Sequence, residues 1–492
     1  MTSAVAEAAG GHDVLWDLSR AQGRIYSGGW RPGSRGVAGV ISPGDSSHLG
    51  ETGVAGEDDV ERAAGIAVAA QRDWATASYQ VRTGVLVRAA AALRELQPEA
   101  ERMLVRESGS LPLKARYEVA KAIAELEAAA RLTTMPQGDV LPVEDPGTLG
   151  IARRIPVGVV GVIAPWNAPL TLAIRSVAPA IALGNAVLVK PDIKTPFSGG
   201  ALIAEIFERA GLPEGLLHVI PGDAETGEAV VSSPHTAVIA FTGSSAAGRR
   251  VGEIAGRMLK RVSLELGGNN AIIVLADADL DLAVRCGVGG AFRHQGQVCM
   301  ATGRHLVHES IADEYVRRLT EAVATMAPAD PSEPGAALGP LISTTQAERV
   351  QTIVDQAVAG GARLVTGGAH DGPFYEPTVL DDVDEQNTAF RSEIFGPVAP
   401  VTRFSSDEEA LRLADGTDYG LTAAIHTRDV GRALGLAQRL RVGMIAVNGQ
   451  TVYDAPHIPM GGMGASGNGS RHGDRWNLDE FTHWQWVTVP TT

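Results

Sequence analysis

From Val157 onward the chain repeats one pattern: a short aliphatic run, a few turn residues, then an Ala-rich stretch of helical character. The first runs are VGVVGVIA, AVLVK, LLHVI and AVIAF. After Glu265 the pattern starts again with AIIVL (271–275), HLVHE (305–309), VAPVTRF (398–404), AAIHT (423–427) and GMIAV (443–447). Strands that are apolar throughout need cover on both faces, and strands separated by helices run parallel, so the pattern predicts parallel sheets wrapped by helices. The restart predicts two such α/β units in tandem. Ahead of them, residues 58–130 show helical periodicity with breaks near Ser78, Pro98 and Pro112. Two polar, alternating segments, QGDVLPVEDPGTLGIARRIP (137–156) and the terminal EFTHWQWVTVP, cannot bury a face alone. They predict a third, smaller sheet and pairing between subunits.

Several classes of function drop out early. The 42 basic residues are scattered and outnumbered by 57 acidic ones, a formal charge of −15, whereas a phosphate-backbone ligand needs clustered Lys and Arg. The apolar stretch 157–189 carries one formal charge, at Arg175. Pro165, Asn167, Pro169, Arg175, Pro179 and Asn185 cut it into pieces shorter than the ~20 residues of a spanning helix. It reads as strand, loop, buried helix and strand. Two cysteines make no disulfide framework, neither has metal-ligand spacing, and the first residues lack the basic start and apolar core of a secretory signal. The expectation is a cytoplasmic protein with no metal, no membrane segment and no nucleic-acid partner.

Four short stretches could carry chemistry. Cys299, in HQGQVCMATGRH, has small and polar neighbours that leave room for a substrate to reach the thiol, unlike Cys286, which sits in the apolar DLAVRCGVGGAF as an inert small hydrophobe would. Glu265, in SLELGGNN, ends a short strand pattern. Asn167, in APWNAP, follows another. FTGSSAAG (241–248) places Gly243 and Gly248 around a strand-to-helix junction able to face a pyrophosphate. Each alone has an ordinary alternative: a solvated glutamate, a turn-capping Asn, a glycine turn that is not G-x-G-x-x-G. Together they are the parts needed to attack a carbonyl, hold its oxyanion and pass a hydride to a dinucleotide.

The order PWN (165–167), LVKP (188–191), FTGS (241–244), LELGG (264–268), GQVC (296–299), EIFGP (393–397) and GGMGASG (461–467) resembles the aldehyde dehydrogenase superfamily over nearly the whole chain. LELGGNN, HQGQVCM, GRHLVHES, GGMGASGNGSR and the ending EFTHWQWVTV are similar to bacterial benzaldehyde dehydrogenases. The resemblance implies that Cys299 is the nucleophile, Glu265 the general base, and the Asn167 amide with the Cys299 N–H the oxyanion donors. It implies cofactor contacts from Trp166, Lys190, Gly243, Ser244, Gly248, Glu393 and Phe395. The cofactor is NAD or NADP, with NAD slightly ahead. Ile193 stands where NAD-preferring members commonly carry a Glu, and Lys194 follows it, so a 2′-phosphate meets less repulsion. Met463-Gly464 replaces an aromatic and a Lys.

The implied reaction is oxidation of an aldehyde, aromatic and of the benzaldehyde type, to the acid through a thiohemiacetal and a thioester. Ile163, Leu170, Met300, Val452 and Tyr453 are positional candidates for the ring pocket. Rival readings are an aliphatic aldehyde or semialdehyde dehydrogenase, a coenzyme-A-acylating enzyme, and a Cys esterase without redox chemistry. The implied fold is two doubly wound α/β domains with a small β oligomerisation domain: dinucleotide binding in 1–137 and 157–256, catalysis in 257–468, and oligomerisation in 138–156 and 469–492. The site should lie between the first two at strand carboxyl ends, in a homodimer or homotetramer.

Overall fold

The computed structural model describes residues 18–491. Among them, the uninterrupted aliphatic runs become the inner strands of two seven-stranded sheets. Val159–Ile163, Ala186–Lys190, Asn270–Val274 and Thr422–His426 are buried at every residue, as strands covered on both faces must be. The first sheet runs Arg261–Glu265, Thr236–Thr242, Val159–Ile163, Ala186–Lys190, Leu217–Val219, Arg24–Tyr26, Trp30–Pro32. Its first five strands are parallel, and the last two join antiparallel. From Val159–Ile163 the chain winds outward one way through two strands, then returns to lay Thr236–Thr242 on the other side. The winding therefore reverses between these two neighbours, and a crevice opens beyond their carboxyl ends.

The second sheet runs Arg363–Thr366, Thr378–Asp381, Val398–Phe404, Thr302–His308, Asn270–Val274, Thr422–His426, Met444–Val447, parallel except for the first pair. The third is antiparallel: Thr482–Pro490 and Gly138–Leu141 pair with opposite sides of Thr148–Pro156. One apolar core joins residues between Ala21 and Leu266 with Leu478 and Phe481, and separate cores begin at Ala271. Arg261–Glu265 pairs with Thr236–Thr242 over five residues and buries its apolar side chain Leu264 in the first core.

The helical lead-in is four helices, Glu57–Thr76, Tyr79–Glu95, Gln97–Ser108 and Pro112–Leu132. Ser78 caps the second, its hydroxyl accepting from Val81 N at 3.4 Å. Pro98 and Pro112 lie in first turns, where a missing N–H costs nothing. The stretch 157–189 is strand, loop, the helix Pro169–Ala182, buried at every residue but Leu172, and strand. Among the described residues, no helix is long and apolar enough to cross a membrane. Unread in the sequence were the N-terminal strands Arg24–Tyr26, Trp30–Pro32, Val37–Ile41 and His48–Gly53, which are short, and two of which, WRP and HLGETG, contain little to mark a buried face.

Candidate active site

The loop leaving Val159–Ile163 carries Trp166 and Asn167, and the loop leaving Thr236–Thr242 carries Gly243 and Ser244. Both empty into the crevice where the winding reverses. Facing them is the segment ahead of Thr302–His308, which carries Cys299. The first sheet contributes carboxyl ends and the second an amino end, so the expectation of strand carboxyl ends holds for one side only.

Two tight features hold the Cys299 segment. His294 and Gln295 are left-handed (φ 48° and 55°), and Gly296 (φ 70°) lies so close to Gly396 O that a Cβ would stand 2.1 Å from it. The Gln-Gly-Gln turn therefore serves anchoring rather than substrate access. Gln295 donates to the Gly109 and Pro340 carbonyls at 3.2 Å each, and Gln297 Oε1 accepts from Ile342 N at 2.9 Å. Across the crevice, Asn167 Nδ2 donates to Gln297 O at 2.9 Å, and Lys114 Nζ donates to Asn167 O at 2.8 Å. One amide N–H of Asn167 is used, which leaves the second. Asn270 Nδ2 donates to Cys299 O (2.9 Å) and Ala301 O (2.7 Å), fixing the loop from below.

Cys299, Asn167 and Leu172 form the wall common to two cavities. One, about 290 Å³, is otherwise lined by residues including Trp166, Gly243, Ser244, Gly267, Glu393 and Phe395. The other, about 100 Å³, has Val298, Met300, Val452 and Met460 for its apolar side. Phe395 (φ 55°) meets Trp166 edge-on, centroids 5.5 Å apart at 89°. Its segment is tied to the helix Thr344–Ala359: Gln346 Nε2 donates to Phe395 O at 2.9 Å, and Arg349 donates to the Glu393 and Ile394 carbonyls at 2.8 Å. Glu393 Oε1 accepts from Gly268 N at 3.0 Å, and a Cβ on Gly267 would come within 2.2 Å of Glu393 Oε2.

The family profile described as "Aldehyde dehydrogenase family" matches residues 30–487. The chain belongs to the aldehyde dehydrogenase family. It is 48% identical over 467 residues to the benzaldehyde dehydrogenase [NAD(+)] of Pseudomonas putida, covering 95% of this chain and 96% of that protein. It is 48% identical to the vanillin dehydrogenase of an Amycolatopsis species, over 96% of this chain and 97% of that one. Among solved structures, an Escherichia coli NADP-dependent enzyme superposes with a TM-score of 0.93 at 31% identity, covering 96% and 99% of the two chains. Betaine aldehyde dehydrogenase from Staphylococcus aureus in complex with NAD+ has the same score at 28% identity, covering 96% of each. The protein is thus an aldehyde-oxidising enzyme that works with a nicotinamide cofactor.

In this aldehyde dehydrogenase, burial, with Glu393 and then Glu265 adding to it, pushes the Cys299 thiol up to about 12. Burial also lifts Glu393 to about 7. Glu265 ends Arg261–Glu265 with 3% exposure and neither carboxyl oxygen hydrogen-bonded. Burial raises it well above the ordinary carboxylate range, against the pull of Arg175 and Arg471. Its carboxyl lies outside the walls of both cavities, and its charge raises the Cys299 thiol.

Of the other residues singled out in the sequence, Gly248 does not itself line the Cys299 cavities but packs behind Leu266, which lines the larger; a Cβ there would stand 2.3 Å from Leu266 Cδ2. Lys190 ends its strand, buried, its pKa lowered by burial and held up by Asp192 and Asp223. Met300 and Val452 line the smaller cavity, Ile163 and Leu170 are core, and Tyr453 is exposed.

Charged residues on the small cavity escaped the sequence reading. Lys114, Glu118 and Lys121 come from the helix Pro112–Leu132, Arg175 from Pro169–Ala182, and Asp454 from a loop. Asp454 pairs with both Lys121 and Arg175, and Arg175 Nε reaches Glu125 at 3.4 Å. The spacing of 114, 118, 121 and 125 marks one helix face and was the available signal.

Proposed function

We propose that the enzyme oxidises aromatic aldehydes of the benzaldehyde type to carboxylic acids, with NAD preferred to NADP. The observation that carries this is the wall shared by two unlike cavities, with Cys299 and Asn167 in it. The smaller offers an apolar side of Val298, Met300, Val452 and Met460 against which a ring can pack, and the names of the Pseudomonas and Amycolatopsis relatives support the aromatic class.

The larger cavity fits a dinucleotide. It sits at a winding reversal, offers glycine-lined backbone at Gly243 and Gly267, and adjoins the start of the helix Ser245–Arg257, capped by Ser244. Trp166, Gly243, Ser244, Glu393 and Phe395 would hold the cofactor, with Lys190 toward the adenosine ribose. A nicotinamide bound there would supply the hydride acceptor that oxidation of the thiohemiacetal needs. Glu265 swings toward the cleft to take the Cys299 proton, and Sγ attacks the carbonyl carbon. The free Asn167 N–H and the Cys299 N–H hold the oxyanion. Glu265 then activates the water that hydrolyses the thioester. A carboxyl at 265 favours water over coenzyme A as acceptor.

For the cofactor, Ile193 and the exposed Lys194 would admit a 2′-phosphate, but the carboxylates of Asp192 and Asp223 act on Lys190 and would repel one. The NAD(+) in the Pseudomonas relative's name supports the same choice. Residues 18–137 and 157–266 form the dinucleotide-binding unit, and those from about 267 to 468 the catalytic unit. The sheet from 138–156 and 482–490 pairs subunits into dimers or tetramers; exposed Val140, Leu141, Trp484 and Trp486 support that.

The test follows reduced-nicotinamide absorbance with benzaldehyde and short aliphatic aldehydes, each with NAD and NADP. Higher kcat/KM for benzaldehyde and for NAD is expected; faster turnover of a short aliphatic aldehyde would reject the aromatic assignment.

A further inference from the structure

Glu265 and Arg471 face each other across the bare backbone of Gly461. A Cβ on that glycine would stand 2.9 Å from Glu265 Oε1 and 2.9 Å from Arg471 Nη1, as well as 2.3 Å from Ser470 O, so no side chain fits between them. The backbone around the two groups is pinned. Glu265 O accepts from Gly243 N, and Leu266 N donates to Ser466 O, each at 3.0 Å. Met460 and His472, the neighbours of Gly461 and Arg471, exchange both backbone hydrogen bonds at 2.9 Å. Glu480 Oε1 accepts from Arg471 N at 3.1 Å. The part left free to turn is the Glu265 side chain, whose oxygens are buried without a hydrogen-bond partner.

The guanidinium is satisfied by carbonyls alone. Arg471 Nη1 donates to Ser470 O at 2.7 Å and to Gly462 O at 3.2 Å, and Arg471 forms no ion pair among the described residues. Burial is the largest influence on Glu265 and pushes its carboxyl up; Arg175 and then Arg471 pull it down, while Asp454 and then Glu480 push it up further. Arg175 is itself paired with Asp454 and Glu125, so carboxylates in contact with it offset part of its pull. Arg471 carries no carboxylate, and its charge reaches Glu265 undiminished by a partner. On the cleft side the titratable neighbours are Cys299, on which Glu265 acts, and Glu393, packed against Gly267. Burial holds His472, next to Arg471, neutral with a pKa of about 3.

A general base has to be ionised before it can take a proton, and a buried carboxylate resists ionisation unless a positive charge stands near it. Resting on the reading of Glu265 as the general base, we propose that Arg471 is a positioning residue whose guanidinium is the counter-charge of the Glu265 carboxylate while that side chain waits outside the cleft. The two groups attract without touching. The charged form of the base is thereby favoured, yet it is not locked away from Cys299 in a direct salt bridge, and the side chain remains free to turn.

The experiment records the pH profile of kcat for benzaldehyde and NAD in the wild type, Arg471→Met, Arg471→Gln and Arg471→Lys. The ionised carboxylate is the active form, so turnover falls as acid protonates it, and losing the arginine makes protonation easier. The acid limb should therefore move to higher pH by about one unit or more in Arg471→Met and Arg471→Gln, with the plateau above it retained. Arg471→Gln can still donate to the Gly462 and Ser470 carbonyls and decides the matter should Arg471→Met not fold. Arg471→Lys keeps the charge and should bring the limb most of the way back. An acid limb at its wild-type place in a neutral variant overturns the proposal. So does an equal loss of turnover at every pH, which is what a merely structural arginine gives, and so does a lysine variant displaced as far as the glutamine one. Glu265→Gln separates this inference from the reading beneath it. If that variant loses the acid limb with its turnover while the Arg471 variants keep theirs in place, the inference alone fails. If its residual turnover keeps the wild-type limb, Glu265 is not the base and both fail.

Discussion

On one side of Cys299 the cleft is shaped by glycines and two aromatic rings, with Glu393 among them; on the other, paired charges face an apolar side. The larger cavity takes its shape from close approaches, such as Gly267 against Glu393 and Gly243 against the Phe241 ring, where a Cβ would stand 2.2 and 2.6 Å away. The smaller is bounded by Lys114 with Glu118 and by Lys121, Arg175 and Asp454, brought together from two helices and a loop. Backbone walls present the same surface whatever the side chains nearby, and they suit a ligand recognised by its shape. Buried charges cost several kcal/mol each unless paired, so a site that keeps them commits its neighbours to one arrangement. The first wall is assembled from short contiguous motifs far apart in the chain, and the second from single residues scattered over two helices and loops.

The sharpest way to break this comparison is at the shared wall. Cys299→Ala should reduce aldehyde oxidation by roughly a thousandfold or more, while Cys286→Ala, in the helix Leu280–Phe292, should leave it unchanged. Measured kcat with benzaldehyde and NAD decides; comparable losses in both variants would mean that the cleft does not single out Cys299.

The next largest effect belongs to the charged wall. Burial works against ionisation of Asp454, but Arg175 and Lys121 outweigh it and hold the carboxyl down at about 2. Its stabilising contribution is therefore complete above the unfolded carboxylate pKa of ~4 and is lost as pH falls from there toward 2. Asp454→Asn leaves two cations facing each other in a buried site and should cost about 3–5 kcal/mol in denaturant unfolding at neutral pH. A loss below 1 kcal/mol would mean that water screens the cluster and that the wall is not a fixed one.

The same contrast explains what was legible in the sequence. Trp166, Asn167, Gly243, Ser244, Cys299, Glu393 and Phe395 sit in short contiguous motifs, and the structure gathers them on one cavity. The strand runs were legible because burial on both faces demands aliphatic residues without interruption. Arg175 was visible only as a charge interrupting an apolar stretch, since Asp454, which stabilises it, is 279 residues away. His294 stood in a quoted motif, but its unpaired nitrogens and left-handed backbone are properties of the folded chain. Tyr453, chosen by position, points to solvent because its neighbours Val452 and Asp454 take the inward places.

The smallest effect tests whether the backbone wall is electrostatically silent. Glu393 is the carboxyl on that side, and after burial it is the largest contributor raising the Cys299 thiol. Its own pKa is lifted to about 7 by burial. Below that pH it is neutral and exerts no pull; above it, its charge opposes formation of the thiolate. Glu393→Gln keeps an oxygen to accept from Gly268 N but removes the charge. Alkylation of the cofactor-free enzyme by iodoacetamide should then be roughly three- to tenfold faster than in the wild type at about pH 9, and equal to it at about pH 5. The pH dependence is the informative part. A variant that merely loosened the cleft would react faster at both values, whereas a loss of charge acts only where Glu393 would have been ionised. Identical rates across the range would mean that Glu393 does not bear on the thiol, leaving burial and Glu265 to hold it protonated until the aldehyde arrives.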